Sequence, residues 1–528
     1  ALREDALQVL LQSGTDHGAV SARSAAGHAV RLAEWCVADV DTDPAAKPDL
    51  IRALEAGRGL VLHAAVTART VTEQLTATGH ADLAAEWETA GGADRLDTAG
   101  LPGAQDIRLP GDLRRRVIEA LTSADHAGHL LGAPSVDEVT DALARTGTDV
   151  LAYLVPSSGE RGGMAVLVTA KGAIEILRLP ALTVDTAVSG YAKAYQEWAN
   201  ADKATRPARE AAWRQQLSAV GAWAWQVAGE RILTAARALC HDGTPRLALV
   251  PFGMLSIVPW HSAWRPESSG RRYLVQDAIV SVVPSARMLH DVATRTPLAN
   301  GDVLVVGNPA DNLRWAWLEA DGICRELYRD ATCLGVARRA GLPGRPAPSG
   351  RGTPAEVLDW LDKHETTPGR LLHLACHALA DPSHPGRSSV GLAGDRLAVH
   401  TLLERWPTSR LRLGTVVLSG CTTDVSAYNY DEAFSIATTF LALGARAAIG
   451  SLWNIEEVHT SVFMFMFHHH LTGRHPDAPG AALHATRLWM LDPDRRAPDT
   501  MPDILRHRLG TLELAEPAYW AAFNHVGV

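Results

Sequence analysis

The chain predicts an α/β protein, a mostly parallel sheet flanked by helices and preceded by an all-helical N-terminal segment. Three features of its 528 residues carry that expectation. Up to about residue 130, Ala, Leu, Glu and Arg dominate and apolar residues recur three and four apart, as in RSAAGHAVRLAEWCVADV. From about residue 148, short apolar runs rich in Val, Ile and Leu are cut by Gly, Ser and Pro. After residue 300, such runs alternate with amphipathic stretches, the pattern of parallel strands joined by helical crossovers.

Taken in order, the first residues, ALREDALQVL, have neither an initiator Met nor the order of a signal peptide, which suggests a fragment or a processed product. Ser21 and Asp49 are candidate helix caps. Turn-rich GGADRLDTAGLPGAQD leads to more helix at about 110–145. DVLAYLVPSS, GGMAVLVTA and AIEILRLP read as strands, followed by a long helical segment over 187–238 interrupted near Pro207. RLALVPFG and YLVQDAIVSVVPS are further strands, and GDVLVVGNP opens a new unit. Helix 315–329 and the CLGVARRAG segment come next, then a helix opened by Thr353 with Glu356 three residues on, a capping box. GRLLHLACHA and RLGTVVLSGC are strands, DEAFSIATTFLALG is a helix closed by Gly444, and ARAAIGSLW is a strand. The helix over 457–472 carries Val462, Phe463, Met466, Phe467, His470 and Leu471 as a one-sided stripe. Three regions result: 1–145, 146–298 and 299–528.

Composition excludes several functions. The net charge is −9 and Lys and Arg are scattered, so no nucleic-acid partner is expected. No run of about 20 apolar residues exists to cross a bilayer. Six cysteines (Cys36, Cys240, Cys324, Cys333, Cys376 and Cys421) in so long a chain are not a disulfide framework and fit a reducing, cytoplasmic setting, and none forms a CxxC pair, which argues against structural zinc. His468, His469 and His470 are consecutive on a helix and point in different directions, so no metal is expected there. Phosphate-loop and dinucleotide fingerprints are absent, and no cofactor is implied.

Chemistry is expected beyond the carboxyl ends of parallel strands, where loops converge. Two predicted strands end on reactive residues: LLHLAC runs into His377 and Ala378, and TVVLSG runs into Cys421. A thiol becomes a strong nucleophile when a nearby imidazole takes its proton, and His377 is the natural partner of Cys421. Backbone N–H groups at Cys421 and Ala378 can hold the oxyanion formed on attack at a carbonyl, with Gly420 allowing a tight turn or close approach. The competing reading is that Cys421 only packs a strand end. His373 and Cys376, inside the strand, read as core.

LLHLACHA, VVLSGCTT and GARAAIGSLWNIEEVHTSVFMFMFHHHLTG resemble, in order and spacing, the signature blocks of the CHAT domain. LALVPFGMLSIVPWHSAW with VVPSARML resembles that family's upstream strand pair, VLVVGNP its opening catalytic strand, and AYWAAFNHVG its closing strand. GHADLAAEWETA resembles linker helices between tetratricopeptide-type repeats and this domain. The resemblance implies a caspase-like fold of the caspase, separase and gingipain group, with 146–298 as a non-catalytic half and 299–528 as the catalytic half. One sheet, or two packed sheets, would then span both halves. It implies a cysteine endopeptidase with Cys421 as nucleophile and His377 as base, cutting a protein substrate, sometimes within bacterial defence. A regulatory protein partner would meet the N-terminal helices. The pattern departs in Gly420-Cys421-Thr422-Thr423, where many members have Ala-Cys-Glu-Thr, and in Ala378, where His-Gly is common. A catalytically inactive scaffold is the alternative.

By the same resemblance Trp453 would wall the pocket for the residue before the scissile bond. Pocket charge should oppose substrate charge. Asp424, Asp431 and Glu432 follow the nucleophile with no Lys or Arg before Arg446, and Arg387 is the one basic residue in the loop after His377. This balance favours Lys or Arg before the scissile bond. An apolar pocket lined by Trp453 and an acidic preference served by Arg387 are the alternatives.

Overall fold

The computed structural model describes residues 15–40, 43–56, 58, 70–90, 111–123, 133–157, 162–184, 186–239, 243–268, 270–335, 348–381, 384–406, 410–424 and 435–527. Eleven strands build its main sheet: β1 (Val150–Val155), β2 (Gly163–Thr169), β3 (Ile174–Leu179), β4 (Arg246–Pro251), β5 (Ile279–Val282), β6 (Asp302–Gly307), β7 (Thr332–Gly335), β8 (Gly369–Ala375), β9 (Leu413–Leu418), β10 (Ala445–Ser451) and β11 (Phe523–Gly527). Their order across the sheet is β3-β2-β1-β4-β5-β11-β10-β9-β8-β6-β7.

The expected continuous sheet is therefore present, but it is built from two opposed blocks. β1, β4 and β5 are mutually parallel, with β2 and β3 folded back as an antiparallel edge. β6 to β10 are mutually parallel. β11 runs parallel to β5 and antiparallel to β10. Strand ends of one block thus open on the edge where the other block's strands begin.

Side chains alternate across the sheet because successive Cβ atoms point to opposite faces. Leu371, Val417 and Ile449 meet apolar side chains of the helices Arg206–Ala224, Glu457–Thr472 and Pro479–Leu491. Leu372, Leu374, Val416 and Ala448 meet Val357, Trp360 and Leu361 of the helix Pro354–Lys363 and Phe440 of the helix Ile436–Leu443. Leu151 and Tyr153 of β1 pack with Leu50 and Leu54 of the helix Lys47–Glu55.

Most predicted elements appear near their expected bounds. The Thr353 capping box is formed and Gly444 ends its helix. The long segment breaks at 200–205, with Pro207 in the first turn of the second helix, where its missing N–H costs nothing. Ser21 lies inside the helix Thr15–Val40, not at its start, and Asp49 sits in a first turn whose cap position is Ala46. The helix Glu457–Thr472 is buried nearly all round, Met464 and Phe465 included, so the one-sided stripe understated its coverage. A three-stranded ribbon (Ala378–Leu379, Ser389–Gly391, Arg396–Ala398) and the helix Pro479–Leu491 were not anticipated. Cys324 and Cys333 form a disulfide, against the expectation that the cysteines are unpaired; they are brought together by the chain's path, which spacing does not reveal.

Burial holds several histidines neutral. His459, His470 and His484 are pushed down to about 4, and His261 and His468 fall well below the ordinary value of 6.5, with desolvation the first cause in each. Below about pH 6.5 the unfolded chain takes up protons that the folded chain refuses. The stability these groups support is therefore complete above that value and lost on acidification. For His484 alone the loss at ~pH 5 is on the order of 2 kcal/mol. Asp424, raised to about 6, works in the opposite direction but is one group against five. The thermal midpoint should fall clearly between ~pH 7.5 and ~pH 5. An unchanged or higher midpoint at the acid end would show that these rings stay solvated.

Candidate active site

β8 and β9 are neighbours, parallel and in register, with Leu374 opposite Leu418. Three residues beyond that pair in each strand stand His377 and Cys421. The two loops touch. Ser419 N–H donates to the Leu374 carbonyl at 2.9 Å, and a Cβ on Gly420 would lie 2.7 Å from the Cys376 carbonyl oxygen and 3.1 Å from Ala378 Cβ. Gly420 is thus required for close approach of the two loops, and its carbonyl accepts from the Ser451 hydroxyl.

The turn carrying Cys421 is stitched to the end of β10. Ser451 N–H donates to Thr423 Oγ1 at 2.8 Å, and Asp424 N–H donates to the Ser451 carbonyl at 2.9 Å. Between these anchors Thr422 has φ of 54°, left-handed backbone that a β-branched residue rarely adopts. Strain of this kind persists only where neighbouring contacts overdetermine the turn.

Cys421 is half-buried. Burial pushes its thiol up, the Ile455 N–H beside it opposes that, and the Glu457 carboxylate adds to it. At rest the sulfur therefore carries its proton. Tyr195, from the helix Ala187–Ala199 of the preceding region, also lies within electrostatic reach of Cys421. His377 is exposed, and its Nε2 lies 3.0 Å from Asn312 Oδ1. Among the described residues no hydrogen bond joins Cys421 to His377.

Ala378 begins the ribbon strand paired with Ser389–Gly391. Gly391 N–H donates to the His377 carbonyl at 2.8 Å, which makes Ala378 and Val390 a non-hydrogen-bonded pair. The Ala378 N–H consequently points away from the ribbon, and the Ala378 nitrogen lies 3.5 Å from where a Cβ on Gly420 would stand.

Other expected residues lie elsewhere. Trp453 is fully buried, donates to the Ala518 carbonyl at 2.8 Å and meets Trp213 edge-on, so it is core and not a pocket wall. Asp424 is also removed from the pocket: it accepts from Ser435 Oγ and Asn524 Nδ2, both at 3.2 Å, and desolvation raises it to about 6. Arg387 is exposed on the short helical turn Pro385–Arg387. Asp431 and Glu432 lie outside the described residues. His373 and Cys376 are core, as expected. Glu319 accepts from His373 Nε2 at 2.9 Å, His373 Nδ1 meets His468 Nε2 at 3.0 Å, and His468 Nδ1 accepts from Tyr328 at 3.1 Å. Cys376 is pushed up to about 12 by burial, with Glu319 adding to it, and is an inert thiol.

Asn312 went unnoticed in the sequence because NPADN reads as a turn. Its signal was available: it is a polar residue in the loop after the strand that opens the unit, on the edge where α/β sheets bind ligands.

Residues 218–528 match the model of the CHAT domain, more than half of the chain, and the chain belongs to the CHAT domain family. Among solved structures it is similar to chains in two crystal structures of the Saccharomyces cerevisiae separase–securin complex. Both align at 10% identity over 93% of this chain, with TM-scores of 0.46 and 0.45. The alignment covers 37% of those chains, so this chain spans little more than a third of their length. No curated protein matches it. Among the described residues no helix is long and apolar enough to cross a membrane.

Proposed function

We propose that this chain is a cysteine endopeptidase that cuts a protein substrate, with Cys421 as nucleophile and His377 as its base. The observation carrying this reading is the register of β8 and β9, which sets a half-buried thiol and an exposed imidazole on touching loops in a CHAT-family chain. His377 takes the thiol proton as the sulfur attacks the peptide carbonyl, and the oxyanion is met by the N–H groups of Ala378 and Cys421. The imidazolium then protonates the leaving amine, and water hydrolyses the thioester to regenerate the thiol. Residues 146–298 act as the non-catalytic half, and the N-terminal helices offer a surface to a regulatory partner. With Asp424 withdrawn into the core, the lean toward Lys or Arg before the scissile bond rests on Asp431 and Glu432.

A second reading, a non-catalytic scaffold, is favoured by one observation: the Cys421 thiol is raised by burial and lies beside Ile455 N–H with no bond to His377. Covalent capture separates the two. Incubated with a panel of peptidyl acyloxymethyl ketones, the protein should gain one adduct, at Cys421, and His377→Ala should lose it. Failure of every member to label Cys421 would leave the scaffold reading standing.

A further inference from the structure

We infer that Asn312 is a positioning residue that orients His377 as the base of the dyad; this rests on the peptidase reading above. With Asn312 Oδ1 accepting from His377 Nε2 at 3.0 Å, the single proton of the neutral ring sits on Nε2. Nδ1 is left with its lone pair, the nitrogen required to take the thiol proton. An imidazole at a strand terminus otherwise rotates about its side-chain bonds, and part of its neutral population would carry the proton on the wrong nitrogen for attack.

The loop that delivers Asn312 is tied to the same strand end as His377. Asn308 N–H donates to the Ala375 carbonyl at 2.9 Å, two residues before His377. Asn308 Oδ1 accepts from Leu313 N–H at 2.7 Å, closing the turn around Asn312. Asn308 is fully buried, and both Asn308 and Asp311 sit in left-handed backbone, at φ of 50° and 53°. Two such residues in one turn indicate a conformation imposed by its contacts. On the far side the Trp315 N–H is held by Glu457 at 3.1 Å, and Glu457 also acts on Cys421. Asn312 and His377 are themselves exposed, so their bond contributes little to stability. Its effect is on ring orientation.

The test follows alkylation of Cys421 in the full chain by iodoacetamide as a function of pH, for wild type, His377→Ala, Asn312→Ala and Asn312→Asp. Thermal melts check folding. Asn312→Ala should lower the alkylation rate below neutral pH by about tenfold, a factor within what a positioned base supplies, at an unchanged melting midpoint. Asn312→Asp keeps the acceptor and sets a negative charge against the ring, so it should preserve the rate and move the acid limb upward by about one pH unit. Asp311 and Glu457, the neighbouring carboxylates, are the same in every variant and cancel. If both Asn312 profiles superimpose on wild type while His377→Ala is altered, Asn312 has no such role and the dyad stands. If His377→Ala is also unaltered, the dyad reading falls and this inference with it. Should Asn312→Ala fail to fold, the position of the Asn312→Asp limb decides alone.

Discussion

Replacing Cys421 with Ala is expected to reduce cleavage of any protein substrate by at least about a thousandfold. The sulfur is the proposed acyl-forming atom, and losing it leaves attack to unassisted water. The fold should be untouched. Cys421 is half-buried in a turn held by Ser451 and Thr423, and none of those bonds uses the sulfur. The measurement is cleavage of a denatured-protein or peptide mixture by mass spectrometry, with thermal melting alongside. Equal cleavage by variant and wild type would eliminate the proposed chemistry; among the described residues the other free cysteines, Cys36 and Cys376, are buried.

The largest effect on stability should follow Glu319→Ala. Glu319 is 1% exposed and accepts from His373 Nε2, the first bond in a buried line that runs through His468 to Tyr328. One proton per ring satisfies every contact in that line, provided Glu319 remains at its end to accept. Truncation strands the His373 N–H in the core and opens a void, at a cost of about 3 kcal/mol. Glu319→Gln keeps an acceptor of the same shape and should lose far less. Urea unfolding of the three proteins gives the comparison, and a Glu319→Ala midpoint within error of wild type would mean that water or another donor takes over. Because His373 lies in β8, four residues before His377, a loosened line should also broaden the geometry of the strand end.

How much of this was legible depended on the range of the contact. The strand ends at His377 and Cys421 were readable because an apolar run followed by a reactive residue is a local pattern, and the parallel pairing that joins them follows from the crossover length. Trp453 was misread because an aromatic residue at a strand end looks the same whether it faces a cleft or the core. What decides its direction is Trp213, some 240 residues earlier. Asp424 was misread for the same reason: a carboxylate beside the nucleophile suggests a pocket, but Asn524 and Ser435 draw it inward. The Cys324–Cys333 pairing depends on the path of a helix end against an edge strand, which no spacing rule contains. The opposed directions of the two strand blocks were equally hidden, since nothing local in FNHVG says which neighbour it will run against.

β11 is the last strand in chain order, yet it lies between the two blocks and pairs with strands formed about 240 and about 75 residues earlier. During synthesis each block would therefore emerge with one bare inner edge, β5 on one side and β10 on the other. Such edges are ready templates for a second chain. The Cys421 turn hangs from β10 through Ser451, whose partner in the ladder is Phe523. On the ribosome, then, a thiol-bearing loop would wait half-supported until residues 523–527 arrive. Completion of the Cys421 turn would be timed by translation of this segment, so that a nascent chain carries Cys421 and His377 well before it carries the frame that supports them.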